Sequence, residues 1–403
     1  MDPLSDEDAR TTREASIGEV LGASLRLGLT SFGGPVAHLG YFRREYVERR
    51  RWLDEATYAD LVALAQMLPG PASSQLGILI GTSRAGMLGG LVAWLGFTLP
   101  SAIALTLLGL FSRSVDLGSA GWVEGLKIAA VAVVARAVYL MARTLAPDWP
   151  RRLIAITAAV VALLWVTPFS QVAIILGGAI VGRLVLSLSA MPTAVPEPRR
   201  ISRRVAVVCL AVFVGLLLLL PILASVGGHP VAFFDAFYRA GALVFGGGHV
   251  VLPLLHASVV EPGWVTNDQF LAGYGAAQAV PGPLFTFAAF LGTVSQPEPN
   301  GIAGATIALV AIFLPSFLLV FGALPFWDRL RTASGFRRAL TGTNAAVVGI
   351  LAAALYTPVW TSGITAPIDV LVAGVALALL LSDRVPPLIV VALCAAAGQV
   401  IGT

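Results

Sequence analysis

Long apolar segments recur along almost the whole of this sequence, and they constrain the fold more than any single motif does. The stretches 88–111, 122–142, 205–226 and 304–326 are each long enough to cross a hydrocarbon core of roughly 30 Å as a helix. Because lipid offers no hydrogen bonds to an unpaired backbone, spanning segments must be helical. Only 12% of the 403 residues are charged, about half the usual fraction in soluble domains. The sequence therefore predicts an all-α polytopic membrane protein embedded in the lipid bilayer.

An internal repeat divides the chain into two related halves. Motifs of the first half return roughly 213 residues later in the same order, and chance does not keep register over so many positions. The matched pairs are S-F-G-G-P at 31–35 with V-F-G-G-G at 244–248, Trp52 with Trp264, Q-M-L-P-G-P at 66–71 with Q-A-V-P-G-P at 278–283, and L-P-S at 99–101 with L-P-S at 314–316. The predicted domains are a cytoplasmic N-terminal tail at 1–16, a first repeat at 17–190, a cytoplasmic linker rich in proline and arginine at 191–204, a connecting transmembrane helix at 205–230 and a second repeat at 231–403.

The charges of the loops predict that the two repeats have opposite orientations in the membrane. Loop 41–55 contains five arginines, whereas its counterpart 256–268 contains no Lys or Arg. The next comparison is reversed, because loop 112–121 contains one arginine and its counterpart 327–338 contains four. Lys and Arg gather on the cytoplasmic side of membrane proteins, so the basic loops of the two halves alternate between faces. Inverted repeats of this kind are typical of secondary transporters.

Four segments rich in glycine and proline are predicted to be broken or re-entrant helical hairpins. They are 17–40, 56–81, 231–255 and 269–294. About nine further segments are predicted to cross fully, namely 88–111, 122–142, 153–168, 170–188, 205–226, 304–326, 340–357, 365–382 and 386–402. The alternative, in which all thirteen segments cross, stays open because loop charge is a statistical guide.

The two Pro-Gly-Pro motifs predict where a transported ion passes. Proline interrupts the hydrogen bonds of a helix interior, and glycine permits close backbone approach. At membrane depth such a break is tolerated only where protein or a water-filled cavity receives the freed backbone groups, as at the substrate sites of transporters. A new helix begins after each motif, and its unpaired N–H groups and positive dipole end favour an anion. A structural kink without a ligand is the alternative.

Basic residues inside apolar surroundings are the next candidates. Arg26 and Arg239 occupy equivalent positions ahead of the F-G-G breaks, and we predict that they contribute positive charge to an anion site. Snorkelling to the membrane interface is the alternative role for both. Lys127 and Arg136 have no basic counterpart in the second half, so they either break the symmetry for function or form structural ion pairs. The acidic residues considered as their structural partners are Glu124 and Asp60.

Titratable groups near the breaks are the predicted means of coupling to protons. The candidates are His38, Glu45 and His249, of which the two histidines flank the glycine breaks. The sequence has no P-loop, no H-E-x-x-H and no G-x-S-x-G motif, so it predicts neither an enzyme nor a metal or other cofactor. The net charge of +4 arises mainly from loop arginines and does not indicate nucleic-acid binding.

Taken together, these motifs strongly resemble those of the chromate transporter family in its long two-domain form. The resemblance rests on S-F-G-G-P with His38, E-Y-V-E-R-R-R-W at 45–52, Q-M-L-P-G-P, and the second-half motifs F-G-G-G-H and Q-A-V-P-G-P. It implies a secondary active transporter that exports chromate across the bacterial inner membrane, driven by the proton-motive force, and confers chromate resistance. A carrier of sulfate or another oxyanion, and a non-transporting membrane scaffold or sensor, are the alternatives. A homodimer is a possible assembly.

The predicted site combines residues from both repeats, and the resemblance also assigns importance to Glu45 and Trp52. Gly248 replaces Pro35 in the second half, so we expect the halves to contribute unequally. The predicted substrate-binding residues are Arg26, Phe32, Gly33, Gly34, Pro35, Gln66, Pro69, Gly70, Pro71, Ser73, Ser74 and Gln75 of the first repeat, and Arg239, Phe245, Gly246, Gly247, Gln278, Pro281, Gly282, Pro283 and Thr286 of the second.

The inverted orientation can be tested by cysteine accessibility. We expect single cysteines introduced in loop 41–55 to react with a membrane-impermeant thiol reagent only from the cytoplasmic side, and those in loop 256–268 only from the opposite side. The native Cys209 and Cys394 lie in apolar runs and provide the background to subtract. Labelling of both loops from one side would contradict the inversion.

Overall fold

The computed structural model describes residues 15–114, 121–165, 170–187, 201–245, 248–382 and 384–401. Over these ranges the chain is helical without β-strands, which confirms the predicted all-α class. Gly246, Gly247, most of the N-terminal tail and most of linker 191–204 lie outside the described residues. The helices are α1 (Ile17–Thr30), α2 (Gly34–Arg43), α3 (Glu55–Met67), α4 (Ala72–Ser114), α5 (Gly121–Leu145), α6 (Trp149–Leu164), α7 (Ser170–Val185), α8 (Arg203–Val226), α9 (His229–Ala242), α10 (Val251–Leu255), α11 (Asn267–Ala279), α12 (Phe287–Val294), α13 (Gly301–Ala323), α14 (Trp327–Thr332), α15 (Ser334–Ala354), α16 (Thr361–Gly363), α17 (Pro367–Leu381) and α18 (Pro387–Ile401). Short π-helical turns follow at Arg44–Arg49, His256–Val260 and Leu355–Trp360, and 3₁₀ turns lie at Gly248–Val250, Leu284–Thr286 and Leu324–Phe326.

Side-chain caps set the start of several helices. Asp54 caps α3 by accepting a hydrogen bond from the N–H of Thr57, and the repeat-equivalent Thr266 caps α11 by accepting one from the N–H of Gln269. Both caps satisfy a backbone donor that the first helical turn leaves unpaired. Asp148 caps α6 in the same way, so this helix begins at 149 rather than at the predicted 153.

α4 is a helical hairpin rather than one straight helix. The backbone leaves the helical region at Ala85 and Gly86, where the φ angle of Gly86 is +66°. The two arms, 72–84 and 87–114, then fold back on each other. Their backbones lie so close that a Cβ added at Gly81 would be 2.4 Å from the carbonyl oxygen of Gly89. Glycine at these positions removes the side chains that would keep the arms apart.

The hairpins return to the loops from which they start. Arg84, at the end of the first arm of α4, donates to the carbonyl oxygen of Trp52 at 3.3 Å, and its guanidinium lies 5.5 Å from the centre of the indole ring. In the second repeat, the N–H of Gln296 donates to the carbonyl oxygen of Trp264 at 2.9 Å. Each break-containing segment therefore ends beside the tryptophan loop that precedes it. These contacts agree with the re-entrant hairpins predicted at 56–81 and 269–294.

The long helices account for five of the nine predicted crossings. Among the described residues, the segments that could cross a membrane by length and composition are Ala72–Arg113, Gly121–Leu145, Arg203–Val226, Gly301–Phe326 and Ser334–Gly363, and in the first of these the arm after the turn contains the predicted crossing. The crossings predicted at 153–168, 170–188, 365–382 and 386–402 correspond to α6, α7, α17 and α18, with 16, 16, 15 and 15 described residues. At 1.5 Å per residue, these helices are about 22–24 Å long, shorter than a hydrocarbon core of about 30 Å.

The short helices exchange partners between the repeats. α7 of the first repeat packs on α15 of the second, where a Cβ added at Gly182 would lie 2.5 Å from the Cα of Gly342. α18 of the second repeat packs on α5 of the first, where a Cβ added at Gly125 would lie 2.0 Å from the carbonyl oxygen of Cys394. Small residues allow this close backbone approach between helices in a membrane. Each repeat therefore completes the helix packing of the other.

Loops with similar charge meet at the same end of the fold. At one end, Arg113 and Trp264 line a common cavity. At the other end, Asp60 accepts hydrogen bonds from Nε1 of Trp327 at 2.9 Å and from Nη1 of Arg331 at 3.4 Å. The arginine-poor loops of the two repeats thus lie together, and the second repeat's arginine-rich loop lies against the first repeat. Loop charge predicts this arrangement for an inverted repeat.

Two adjacent glycines on α7 test the packing between the repeats. A Cβ added at Gly178 would lie 2.5 Å from the Cβ of Ala346, whereas one added at Gly177 would meet no atom within 4 Å. We expect Gly178→Ala to lower the free energy of unfolding by about 1–3 kcal/mol through overpacking. The matched control Gly177→Ala should leave it unchanged or raise it by up to about 1 kcal/mol, because alanine favours the helix. Thermal unfolding in detergent measures both, and equal effects would contradict the close contact.

Candidate functional site

The predicted breaks meet at the interface between the two repeats. The N–H of Gly70, in the first Pro-Gly-Pro motif, donates to the carbonyl oxygen of Val244, just before the second F-G-G motif, at 2.7 Å. The N–H of Gly282, in the second Pro-Gly-Pro motif, donates to the carbonyl oxygen of Ser31, just before the first F-G-G motif, at 2.9 Å. The repeat relates these two hydrogen bonds to each other. Each Pro-Gly-Pro motif is thereby attached to the glycine break of the opposite repeat.

The serines of the two L-P-S motifs pack against the same glycines. A Cβ added at Gly70 would lie 2.9 Å from Oγ of Ser316, which belongs to the second repeat. A Cβ added at Gly282 would lie 2.8 Å from Oγ of Ser101, which belongs to the first. The φ angles of the two glycines are +123° and +101°, a region that side chains disfavour. Both space and backbone conformation therefore require glycine at the centre of each Pro-Gly-Pro motif.

The two predicted histidines approach each other beside the F-G-G breaks. Nδ1 of His249 lies 2.9 Å from the hydroxyl oxygen of Tyr274, and its Nε2 lies 3.7 Å from the position of a Cβ added at Gly34. His38 is 1% exposed and is close enough to His249 for an electrostatic interaction. Arg136 also interacts electrostatically with His249. The interface thus joins titratable groups of both repeats.

Several buried polar atoms without hydrogen-bond partners lie on the segments that form the breaks. An unpaired buried polar group costs about 1–3 kcal/mol, so a cluster of them indicates a place where water or a polar ligand completes the hydrogen bonding. Within the described part of the chain, such atoms near the breaks and kinks are Oγ of Ser31, Nδ1 of His38, Oγ of Ser74, Oε1 of Gln75, Oγ1 of Thr98, Nε2 of Gln278 and Oγ of Ser316.

New helical turns begin after both Pro-Gly-Pro motifs, as predicted. In the first repeat, Nε2 of Gln75 donates to the carbonyl oxygen of Pro69 at 2.6 Å. In the second, the hydroxyl of Thr286 donates to the carbonyl oxygen of Pro283 at 2.7 Å. These side chains fix the turns from inside, while the first N–H groups of each new helix have no intrahelical acceptor. Gln66, predicted for the same site, lies on the exposed side of α3.

The remaining predicted residues of the F-G-G breaks shape the backbone. Gly33 and Gly34 have φ angles of +94° and +80°, which only glycine adopts readily, and α2 begins at Gly34. Phe32 and Phe245 are half-buried beside the breaks. Pro35 occupies the first turn of α2, where its missing N–H costs nothing.

The predicted arginines are each paired with a carboxylate. Nε of Arg26 lies 3.9 Å from Oε2 of Glu45, and Nη2 of Arg239 lies 2.6 Å from Oδ2 of Asp235. The arginine side chains are 53% and 38% exposed, whereas both carboxylates are buried. Glu45 also accepts a hydrogen bond from Nε of Arg50 at 2.6 Å. Contact of either Arg26 or Arg239 with substrate therefore stays a prediction.

The two cations without repeat counterparts have different surroundings. Nζ of Lys127 lies 2.6 Å from Oε1 of Glu124 and 3.1 Å from Oδ1 of Asp268, which is the structural role considered for it. Asp268 belongs to the second repeat, so this ion pair also joins the halves. Arg136, by contrast, is the cation that interacts with His249 beside the breaks.

Sequence reasoning did not predict a role for several residues at this interface. The repeated L-P-S motif was the visible signal for Ser101 and Ser316, because it places a kink and a hydroxyl at equivalent points. Tyr274 had no such signal, since a tyrosine in an apolar helix is usually a packing residue. Only the hydrogen bond to His249 distinguishes it.

Comparison with known proteins covers both repeats. Residues 18–183 and 231–399 match the family described as "Chromate transporter". The chain is 32% identical over 346 residues to the "Chromate transport protein" of Pseudomonas aeruginosa, covering 82% of this chain and 78% of that protein. It is 31% identical over 341 residues to the "Probable chromate transport protein" of Synechococcus elongatus, covering 82% and 81%. The "Chromate transport protein" of Cupriavidus metallidurans is 30% identical over 368 residues, covering 89% of this chain and 86% of that protein.

No solved structure matches the chain. The sequence relationship, however, spans the F-G-G and Pro-Gly-Pro motifs of both halves, whose backbones meet at the interface described above. The family match includes most of the described residues and all four motifs that form these contacts. The chain belongs to the chromate transporter family.

Proposed function

We propose that this protein is a secondary active transporter that exports chromate across the bacterial inner membrane and thereby confers chromate resistance. Membership of the chromate transporter family over both repeats is the observation that carries the proposal. Relatives from Pseudomonas aeruginosa and Cupriavidus metallidurans are named chromate transport proteins. Sulfate is the competing substrate, because it is a tetrahedral dianion of similar size.

The proposed path runs through the interface where the breaks meet. Unpartnered hydroxyl and amide groups of Ser31, Ser74 and Gln278 are available to hydrogen-bond an oxyanion. The first turn after each Pro-Gly-Pro motif adds unpaired N–H groups and the positive end of a helix dipole. Neutral donors of this kind hold a dianion less tightly than a full set of opposite charges would. Such moderate binding suits a carrier that must also release its substrate.

Positive charge near the path compensates part of the charge of the dianion. Arg136 interacts electrostatically with His249 beside the break, and Arg26 and Arg239 each precede an F-G-G phenylalanine by six residues in the sequence. An incoming oxyanion can compete with Glu45 for the guanidinium of Arg26, because that contact is long, at 3.9 Å. In this proposal the anion exchanges with a protein carboxylate rather than meeting a bare cation.

The electrical part of the proton-motive force is sufficient to drive export. One elementary charge gains about 2.3 kcal/mol per 100 mV, so a dianion that leaves a compartment with an inside-negative potential gains about twice that amount. Export therefore needs no fixed proton stoichiometry. Protonation of His38, Glu45 or His249 is the proposed way in which a pH gradient adds to this driving force.

Chromate uptake into inverted vesicles tests the proposed transport. We expect vesicles containing the protein to accumulate labelled chromate faster than vesicles without it, with uptake rising when an inside-positive potential is imposed and falling when the potential is collapsed. Excess unlabelled sulfate should compete with chromate, because it is a tetrahedral dianion of similar size, but labelled sulfate should itself be taken up more slowly. Uptake equal to that of empty vesicles would refute transport, and sulfate uptake at the same rate as chromate would favour the broader oxyanion carrier.

Alanine at the Pro-Gly-Pro glycines tests whether the interface is the path. Gly70→Ala and Gly282→Ala place a Cβ within 3 Å of side-chain atoms, which costs about 1–3 kcal/mol of overpacking and should abolish most chromate uptake. The control Gly86→Ala suffers backbone strain of about 1–3 kcal/mol but meets no atom within 4 Å. It should keep most of the uptake. Thermal unfolding of all three variants separates lost transport from lost folding, and normal uptake by Gly70→Ala would contradict this path.

A further inference from the structure

A polar cavity lies at the end of the fold where the arginine-poor loops meet. Its volume is about 360 Å³, enough for roughly ten water molecules at about 30 Å³ each, so a hydrated tetrahedral oxyanion fits. None of its lining residues is acidic, and most carry hydrogen-bonding groups. The residues that line it are Ser112, Arg113, Gly263, Trp264, Thr266, Gln269, Val294 and Gln296.

Arg113 supplies the one formal charge of this lining. Its Nη1 donates to the carbonyl oxygen of Thr293 at 3.3 Å and to Oδ1 of Asn300 at 3.0 Å. Both acceptors are neutral, and within the described ranges Arg113 forms no ion pair with a carboxylate. This surrounding differs from that of Arg26 and Arg239, which are each paired with a buried acid. The charge of Arg113 is therefore oriented by its hydrogen bonds but not cancelled by them.

Two helices connect the cavity with the central breaks. The second arm of α4 contacts Gly282 through Ser101 and reaches the cavity at Ser112, about 16 Å further along the helix. The segment that follows the second Pro-Gly-Pro motif reaches the same cavity at Val294. Ser295, the next residue, is fully buried, and its Oγ has no hydrogen-bond partner. The two segments that contact the second Pro-Gly-Pro motif therefore also line the cavity.

We propose that this cavity is an outer vestibule that binds the tetrahedral dianion on its way out, with Arg113 as the binding cation. The inference rests on the proposed function and on the orientation that loop charge gives to this end. A single guanidinium among neutral donors such as Gln269 and Gln296 attracts a dianion from the breaks, and water exchange then releases it. A cleft lined by charge of one sign raises the local concentration of counter-ions about tenfold or more. The vestibule is therefore an intermediate binding position between the breaks and the outside, and the electrochemical gradient sets the net direction of movement.

Thiol-labelling rates measure the local anion preference directly, without requiring transport. In a chain with Cys209→Ser and Cys394→Ser, the substitution Ser112→Cys places one thiol in the lining. We compare a negatively charged sulfonatoethyl methanethiosulfonate with its positively charged trimethylammonium analogue in reconstituted protein. With Arg113 present, the anionic reagent should react about tenfold faster relative to the cationic one than it does with free cysteine. Sulfate should slow the anionic reaction, and it is used because chromate oxidises thiols.

Three further variants decide the result. Arg113→Gln should remove both the anion preference and the protection by sulfate, whereas Arg113→Lys should retain most of both. Arg151 pairs with Asp148 at another surface. Arg151→Gln changes the net charge by the same amount and should therefore behave like the parent. An unchanged reagent ratio in Arg113→Gln would overturn the vestibule. If the ratio responds as expected while the protein fails to move chromate in vesicles, the vestibule stands and the proposed substrate or transport function is at fault.

Discussion

The two hydrogen bonds that link the Pro-Gly-Pro glycines to the opposite F-G-G breaks are the constraint on which the rest of this structure depends. An interrupted helix in a membrane leaves backbone groups that lipid cannot satisfy, and each such group costs several kcal/mol. Here the N–H of Gly70 and Gly282 and the carbonyls of Val244 and Ser31 satisfy each other across the repeat interface. The breaks of one repeat are therefore tolerated only because the other repeat supplies their partners.

The exchange of short helices extends this mutual dependence to the periphery. α7 and α18 pack against the long helices of the opposite repeat through glycines whose added Cβ atoms would overlap the neighbouring backbone. The Lys127–Asp268 ion pair and the Asp60 hydrogen bonds join the halves at the two ends of the interface. The two repeats therefore form one packed unit, in which neither repeat has a complete packing surface of its own.

Much of the fold was visible in the sequence because its strongest constraints are local and repeated. Apolar length, the F-G-G and Pro-Gly-Pro motifs and the loop arginines predicted the helical class, the two halves and the positions of the breaks. Three features could not be read in this way. The close packing of the two arms of α4 at Gly81 and Gly89 is the first, because the gap between segments 56–81 and 88–111 predicts a turn but not which surfaces then meet. The exchange of α7 and α18 and the contact between His249 and Tyr274 are long-range, and they depend on which surfaces meet rather than on any local pattern.

The departures from symmetry distinguish the two ends of the fold. The equivalent arginines take different partners, because Glu45 lies beyond the first break whereas Asp235 lies one helical turn before Arg239. Glu45 is shared by several guanidinium groups, so the basic loop at that end holds a dense network of charge. At the opposite end, one arginine with neutral partners lines an open polar cavity. The two ends of the fold therefore differ in the charge that they present. The centre is approximately symmetric, so the difference between the two ends comes from the loops, where the two repeats differ most.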